Sequence, residues 1–406
     1  MIRRDQISML TDEPLSLRQA MELTADSINA YGPRFRHWAV AYSGGKDSSA
    51  MATVLAHIID LGLIRRPESL TYLYADTRME LPPLQAGAMN LLAEMRDRGF
   101  KTEVVLPPME DRFMVYMLGK GVPPPKNRFR WCTGQLKVEP MERALVQLRD
   151  LAQEKILMMT GVRVGESAAR DARIALSCGK DGAECGQGWF QETIPASIAD
   201  TLAPVLHWRV CHIWDWLAGS EGNPFKTGSI ADVYGMDNEG SRQEIGARTG
   251  CVGCNLASKD VALDRVIARE KWAYLAPLKG LKPIYAKLKE PHNRLRKFME
   301  RNEDDELSSN PFRMGPLTMA AREWALSEIL KIQDEVNAGA VRQGQPEYWL
   351  IDEEELAVIR QMIADNTWPQ RWDGTEITGD ALIPVEGTDD LIEITRQGGR
   401  QAVMFS

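Results

Sequence analysis

Over residues 14–105 the apolar positions switch repeatedly between two spacings. Residues 14–31 repeat them three to four apart, which predicts a helix. HWAVAY is then a short, almost unbroken apolar run and predicts a buried strand, while SAMATVLAHIIDLGL returns to helical spacing. SLTYLYADT, rich in β-formers, predicts a second strand, and LPPLQAGAMNLLAEMRDRGF a helix after a proline start. KTEVVLP predicts a third strand. Strand–helix–strand–helix–strand implies a parallel sheet covered on both faces, an α/β fold. Further along, a helix is expected at 135–153, a strand and turn in KILMMTGVRVGES, and the start of another helix in WRVCHIWDWLAG. Beyond about residue 220 the alternation fades. Residues 315–337 and 352–364 have the periodicity of amphipathic helices, and the tail from 369 has no clear pattern. The expected division is therefore an α/β domain over 1–215 and a mainly helical region over 216–406.

Composition adds little to this picture. With 44% hydrophobic and 26% charged residues in a chain of 406, the profile is that of an ordinary globular protein with a sizeable core. No apolar stretch approaches the roughly 20 residues needed to cross a bilayer. The start, MIRRDQISMLTDEPLSLRQA, lacks a continuous apolar segment of the kind that directs secretion, so a cytoplasmic location without membrane partners is expected. The net charge of −8 argues against a generally basic coat for nucleic acid, although charge is not evenly spread. Between Lys279 and Arg301 there are five Lys and three Arg against two Glu, with Trp272, Tyr274, Tyr285 and Phe298 nearby as candidate base-stacking groups. A second cationic stretch lies at 120–131. Either could equally be a solvated face with aromatic core contacts.

The sharpest chemical signal follows the first strand. Ser43-Gly44-Gly45-Lys46-Asp47-Ser48 joins a strand directly to a helix. Two glycines let successive N–H groups turn toward one point, and the helix N-terminus adds partial positive charge. Ser43 and Ser48 can donate hydroxyl hydrogen bonds and Lys46 is a full cation, so the segment is a candidate anion cradle. It is not a Walker A loop, whose glycines are spread over a longer loop before the lysine.

SGGKDS closely resembles the PP-loop of the ATP pyrophosphatase superfamily. That resemblance implies a Rossmann-like nucleotide-binding domain, an adenine nucleotide, and in many members cleavage of ATP between its α and β phosphates with magnesium. Three further stretches resemble the phosphoadenylyl sulfate reductase-like branch. ADTRMELPP looks like its D-T-x-x-E-x-P motif and implies nucleotide-site roles for Asp76, Thr77 and Glu80. Asp76 would hold ribose or magnesium, with helix capping as the plainer alternative for the Asp or Thr. RWCTGQLKVEP resembles a Cys…Lys-Val-Glu-Pro segment and implies Cys132 and Lys137. GVRVGESAAR matches G-x-R-x-x-E-S-x-x-R and implies Arg163, Glu166, Ser167 and Arg170, with the arginine forks suited to phosphate oxygens. One departure is plain: the tail QGGRQAVMFS has no cysteine, where reductases of this branch carry a catalytic one.

Six cysteines remain, at 132, 178, 185, 211, 251 and 254. Cys251-Val-Gly-Cys254 and the glycine-rich pair Cys178 and Cys185 could supply four thiolates to zinc or to an iron–sulfur cluster, and spacing does not choose between them. Cys211, within RVCHIWDWL, is expected to be a buried free thiol. The late GCxxC followed by Lys-Asp, the tryptophan-rich HWRVCHIWDWL and the C-terminal helices resemble the DndC/SspD family of DNA phosphorothioation. That resemblance implies an ATP pyrophosphatase acting on a DNA backbone phosphate, sulfur from a cysteine desulfurase, other DNA-modification subunits and a 4Fe-4S cluster. The cysteines here are spaced more widely than in that family.

The catalytic set expected on this basis is Lys46, Asp47, Cys132, Arg163 and Arg170. Cys132 is either a sulfur carrier or a cluster ligand. As a carrier it would rely on Lys126, Arg128 and Arg130 to favour its thiolate. Competing functions are a sulfonucleotide reductase, a tRNA-thiolating enzyme and a nucleotide-sensing subunit without turnover.

Overall fold

In the computed structural model the described residues are 15–127, 129–165, 195, 197–219, 222–234, 251–257, 259–384, 391–394 and 400–402. They fall into two compact units. One comprises Met1–Asp76, Pro82–Leu106 and Val138–Thr249; the other comprises Thr77–Leu81, Pro107–Lys137 and Gly250–Ser406.

The first unit is built on α1 (Leu17–Tyr31), β1 (His37–Tyr42), α2 (Lys46–Asp60), β2 (Ser69–Ala75), α3 (Pro82–Asp97), β3 (Lys101–Val105), α4 (Glu139–Ala152), β4 (Ile156–Thr160) and β5 (Ala199–Leu202). After them come α5 (Val210–Leu217) and α6 (Gly228–Tyr234). The sheet is wholly parallel, in the order β3-β2-β1-β4-β5. The expected α/β fold is thus the one found, and its first four strands are those the apolar runs indicate. β5 is not visible in the pattern: Ala-Asp-Thr-Leu is short and half polar, and it becomes a strand because β4 offers an open edge.

Alternation along the strands divides the core between two faces. Ala39, Leu73, Ala75, Val105, Met158 and Ala199 pack with Met141, Ala144 and Leu145 of α4. On the opposite face Tyr72 donates from its hydroxyl to the Ala52 carbonyl of α2 at 3.3 Å, and the Ser49 hydroxyl reaches Tyr42 Oη at 3.4 Å. Two buried indoles close that layer, with Trp216 Nε1 donating to Thr53 Oγ1 at 2.8 Å and Trp208 Nε1 to Thr24 Oγ1 at 2.9 Å. With both faces covered, the inner strands β1 and β4 carry few polar positions, which is why they read as apolar runs, whereas the edge strands β3 and β5 are partly polar.

The strand order reverses between β1 and β4, since successive crossovers proceed outward from β1 in one direction and from β4 in the other. Open α/β sheets bind ligands outside the carboxyl ends of strands at such a switch point. Here those ends are followed by Ser43–Ser48 and by Gly161–Arg163.

The second unit is largely helical: α7 (Val261–Ile267), a 3-10 segment Glu270–Gly280, α8 (Leu281–Lys287), α9 (Met319–Arg342) and α10 (Glu353–Ala364). It also holds two small three-stranded sheets that the sequence pattern does not reveal. The first is β6 (Arg294–Arg296), β7 (Met314–Leu317) and β8 (Ile377–Thr378); the second is β9 (Leu382–Pro384), β10 (Leu391–Ile394) and β11 (Arg400–Ala402). The helix expected at 315–337 begins only at Met319, where Thr318 Oγ1 caps the Ala321 N–H at 3.2 Å. Gly315 and Pro316 instead lie in β7, and a side chain at 315 would collide with the Trp372 ring. α10 starts as expected, with a capping box between Asp352 and Glu355. Among the described residues no helix is long and apolar enough to cross a membrane.

Candidate functional site

Two groupings of chemically capable residues stand out, one in each unit. In the first, the chain leaves β1 at Tyr42 and turns at Gly44, whose φ of +71° is strained for any other residue. A Cβ at Gly44 would also lie 3.0 Å from the Ala88 Cβ. Gly45 is the N-cap of α2 and has no side chain to satisfy the first-turn N–H groups. The two serines shape the turn internally: Ser48 Oγ accepts from the Ser43 N–H at 3.2 Å, lies 2.9 Å from Ser43 Oγ, and donates to the Gly45 carbonyl at 3.0 Å.

Two cations meet on one carboxylate beside this helix start. Lys46 Nζ lies 2.6 Å from Asp47 Oδ2, and Arg163 Nε donates to Asp47 Oδ1 at 2.5 Å. The side chains of Lys46, Asp47 and Arg163 are only 11, 13 and 5% exposed. Two positive charges and one negative leave the trio at net +1, at the positive end of a helix, which favours an anion. The arrangement follows from the topology. β4 runs beside β1, so its continuation Gly161–Arg163 passes over the first turn of α2. A Cβ on Gly161 would come within 2.8 Å of the Asp47 carbonyl carbon, the Asp47 oxygen and Ser48 Cα.

Tyr234, at the end of α6, escapes a reading of the sequence, because GSIADVY carries no motif. Its hydroxyl accepts the Lys46 N–H at 3.3 Å, and its ring centroid lies 5.8 Å from Lys46 Nζ. Asp76 follows β2; it is buried, and its Oδ2 accepts from Gln85 Nε2 at 3.2 Å.

In the second unit the other half of the D-T-x-x-E stretch is joined to cysteines. Thr77 Oγ1 donates to Glu80 Oε1 at 2.7 Å, the Thr77 N–H reaches Glu80 Oε2 at 3.2 Å, and Lys137 Nζ lies 3.7 Å from Glu80 Oε1. The Val252 N–H donates to the Met79 carbonyl at 2.7 Å, which anchors the Cys251–Cys254 turn to that stretch. Within the turn the Cys254 N–H donates to the Cys251 carbonyl at 3.1 Å, and Gly253 adopts φ +64°. Cys132, on the helical turn Trp131–Thr133, interacts electrostatically with both thiols.

Burial sets the state of Cys251 and Cys132. It pushes the Cys251 pKa up to about 11, reinforced by Glu80, Cys254 and Cys132 and opposed by Lys137. Burial and then Cys254 also raise Cys132. The expectation that loop cations lower the Cys132 pKa therefore does not hold. Lys126 and Arg130 are exposed, and Arg130 donates to Asn127 instead. Burial alone would lower Lys137, but Cys251, Glu80 and Cys132 together raise it.

Three thiols with one ammonium nearby are a soft, partly charge-compensated donor set. Among the described residues no three His, Cys, Asp or Glu side chains close tightly enough around one point to hold a single ion. A 4Fe-4S cluster spreads its ligating sulfurs farther apart than one ion does, and the donor chemistry of Cys132, Cys251 and Cys254 fits it.

Arg170, Glu166, Ser167, Cys178, Cys185 and Arg128 lie outside the described residues. Cys211 is exposed, not buried, because the apolar stripe of α5 is Ile213, Trp214, Trp216 and Leu217. In the cationic stretch, Tyr274, Tyr285, Arg294 and Arg296 are buried. Lys279 pairs with Asp264 at 2.6 Å and Lys297 with Glu376 at 2.6 Å, while Phe298 is exposed.

Residues 37–224 match the family model of the phosphoadenosine phosphosulfate reductase domain. No curated protein sequence matches the chain. Among solved structures, the chain is similar to phosphoadenylyl-sulfate (PAPS) reductase from Candida auris in a phosphate complex: 12% identity over 51% of this chain and 88% of that one, with a TM-score of 0.32. It is similar to Candida glabrata FMN adenylyltransferase in complex with FMN and the ATP analog AMPCPP, at 14% identity over 51% of this chain and 59% of that one, with a TM-score of 0.33. A third is the U34-tRNA thiolase NcsA from Methanococcus maripaludis with its [4Fe-4S] cluster, at 11% identity over 68% of this chain and 82% of that one, with a TM-score of 0.31.

Proposed function

We propose that this chain is an ATP pyrophosphatase that adenylates a DNA backbone phosphate and so prepares it for replacement of a non-bridging oxygen by sulfur. The observation that carries the reading is the loop after β1: a helix start with glycine at its N-cap, beside Lys46 and Arg163, both held by Asp47. The match of residues 37–224 to the reductase domain supports a nucleotide as the anion.

In the proposed reaction the N–H groups of the first turn of α2 and Lys46 Nζ hold the β- and γ-phosphates, and Arg163 holds the α-phosphate. Asp47 is a positioning residue, since both its oxygens are engaged by the two cations. Asp76 is the candidate carboxylate for the magnesium ion that accompanies the nucleotide. An oxygen of the DNA phosphodiester forms a bond to the α-phosphorus as the bond from that phosphorus to the α–β bridging oxygen breaks, and pyrophosphate leaves with the electron pair. The adenylate then makes the former phosphate oxygen a good leaving group. With sulfur delivered at the sulfide level, a P–S bond forms as the P–O bond to AMP breaks, and phosphorus keeps its oxidation state. Cys132, Cys251 and Cys254 are the candidate cluster ligands, and a cysteine desulfurase is the proposed sulfur source, with a thiol reductant giving up two electrons and becoming a disulfide as the desulfurase's persulfide sulfur is released as sulfide. A cluster with three protein thiolates would supply one iron open to sulfide.

The test is pyrophosphate release from ATP by anaerobically prepared protein, with and without DNA. DNA-dependent release that is lost in Lys46→Ala supports the reading. Release with tRNA alone, or ATP binding with no release, overturns it. The reductase-domain match also favours a sulfonucleotide reductase. That second reading predicts thiol-dependent sulfite from adenylyl sulfate with no need of DNA.

A further inference from the structure

Tyr285 lies on α8 beneath the Cys251–Cys254 turn. It is 1% exposed, and among the described residues its hydroxyl has no hydrogen-bond partner. A Cβ on Gly253 would sit 3.1 Å from Tyr285 Cε2, the ring carbon next to the one that bears the hydroxyl. A neighbouring ring is apolar: the Phe113 centroid is 6.0 Å away. The phenol interacts electrostatically with both Cys251 and Cys254, and burial first, then those thiols, keeps it protonated. A buried hydroxyl is ordinarily paired, and phenylalanine would fill the same volume without the polar atom.

We infer that the Tyr285 hydroxyl donates a hydrogen bond to a sulfur atom of the group that Cys132, Cys251 and Cys254 hold. This role rests on the proposed iron–sulfur reading of that site and adds a residue that no sequence motif marks. Tyr285 is a positioning residue here: it binds no iron but withdraws electron density from a ligand sulfur. Donation to a cluster sulfur stabilises the reduced state, because reduction adds negative charge to the acceptor. Gly253 makes the approach possible, since any side chain there would meet Leu281 Cβ at 2.8 Å as well as the Tyr285 ring.

The test compares wild type and Tyr285→Phe in the full-length chain, reconstituted anaerobically with iron and sulfide. The expected result is an unchanged iron and sulfide content with a more negative midpoint potential, a shifted visible and electron paramagnetic resonance spectrum, and faster loss of iron to a chelator. Without metal, Tyr285→Phe should melt at or above the wild-type temperature, because it removes an unpaired polar atom. Cluster-loaded variant and wild type with superimposable potential and spectra overturn the inference alone. A metal-free variant that melts well below wild type also overturns it, by showing that the hydroxyl is already paired within the protein. Wild type that takes up neither iron nor sulfide overturns the reading of the site and the inference with it.

Discussion

Replacing Gly161 by alanine probes the geometry on which the anion site depends. The added methyl would lie 2.8 Å from three backbone atoms of Asp47 and Ser48, closer than real Cβ contacts come. None of the three is the movable end of a side chain, so the relief must be a shift of β4's continuation away from α2. Such overpacking costs about 1–3 kcal/mol. For a domain of this size that corresponds to a fall in melting temperature of about 2–4 °C per kcal/mol. The same displacement draws Arg163 away from Asp47, so affinity for a non-hydrolysable ATP analogue should fall by about 5- to 150-fold if the whole strain appears in binding. Gly228→Ala is the control: a Cβ there would meet no atom within 4 Å, so alanine should be neutral or stabilise by about 0.4–1 kcal/mol. Calorimetric melting and titration of both variants decide the matter. A Gly161→Ala protein that melts and binds like wild type would show that the loops after β1 and β4 do not constrain one another.

Three further expectations concern other parts of the chain. Cys132→Ser, Cys251→Ser and Cys254→Ser should each lower iron content after anaerobic reconstitution while Cys211→Ser does not, and in metal-free protein iodoacetamide mapping should find exposed Cys211 alkylated well before Cys251, whose thiol burial holds at about 11. Arg322→Met should destabilise the second unit by about 1–3 kcal/mol, because the buried guanidinium donates to the Gly119 and Thr367 carbonyls, which would lose that donor; no loss in denaturant unfolding would refute that role. Burial lowers the His57 pKa, with Arg98 also lowering it and Asp60 opposing. The unfolded chain therefore binds the proton more readily, so this contribution is complete above the unfolded value near 6.5 and is lost as pH falls through the folded one. His57→Gln should flatten that part of the stability profile between pH 7 and 5, as measured by urea midpoints.

Local pattern was enough to read several parts of this chain. Strands β1, β2 and β4 were legible because burial leaves them largely apolar, β3 from its β-formers although it is an edge strand and mostly half-exposed, and the glycines, lysine and serines after β1 are contiguous. Helices α1 to α4 followed from spacing, and α10 also from its capping pair. Contacts between residues distant in the chain came instead from packing and strand pairing. Arg163 reaches Asp47 only because β4 pairs with β1, and pairing order is a property of the sheet. Cys132 comes near enough to Cys251 and Cys254 to interact electrostatically only through the folding of the second unit, since more than a hundred residues of chain separate them. Tyr234 and Tyr285 belong to no motif, and their roles come from where their helices pack. The short strands β5 to β11 have too few residues for a period to register, and they form because neighbouring backbone N–H and C=O groups need partners.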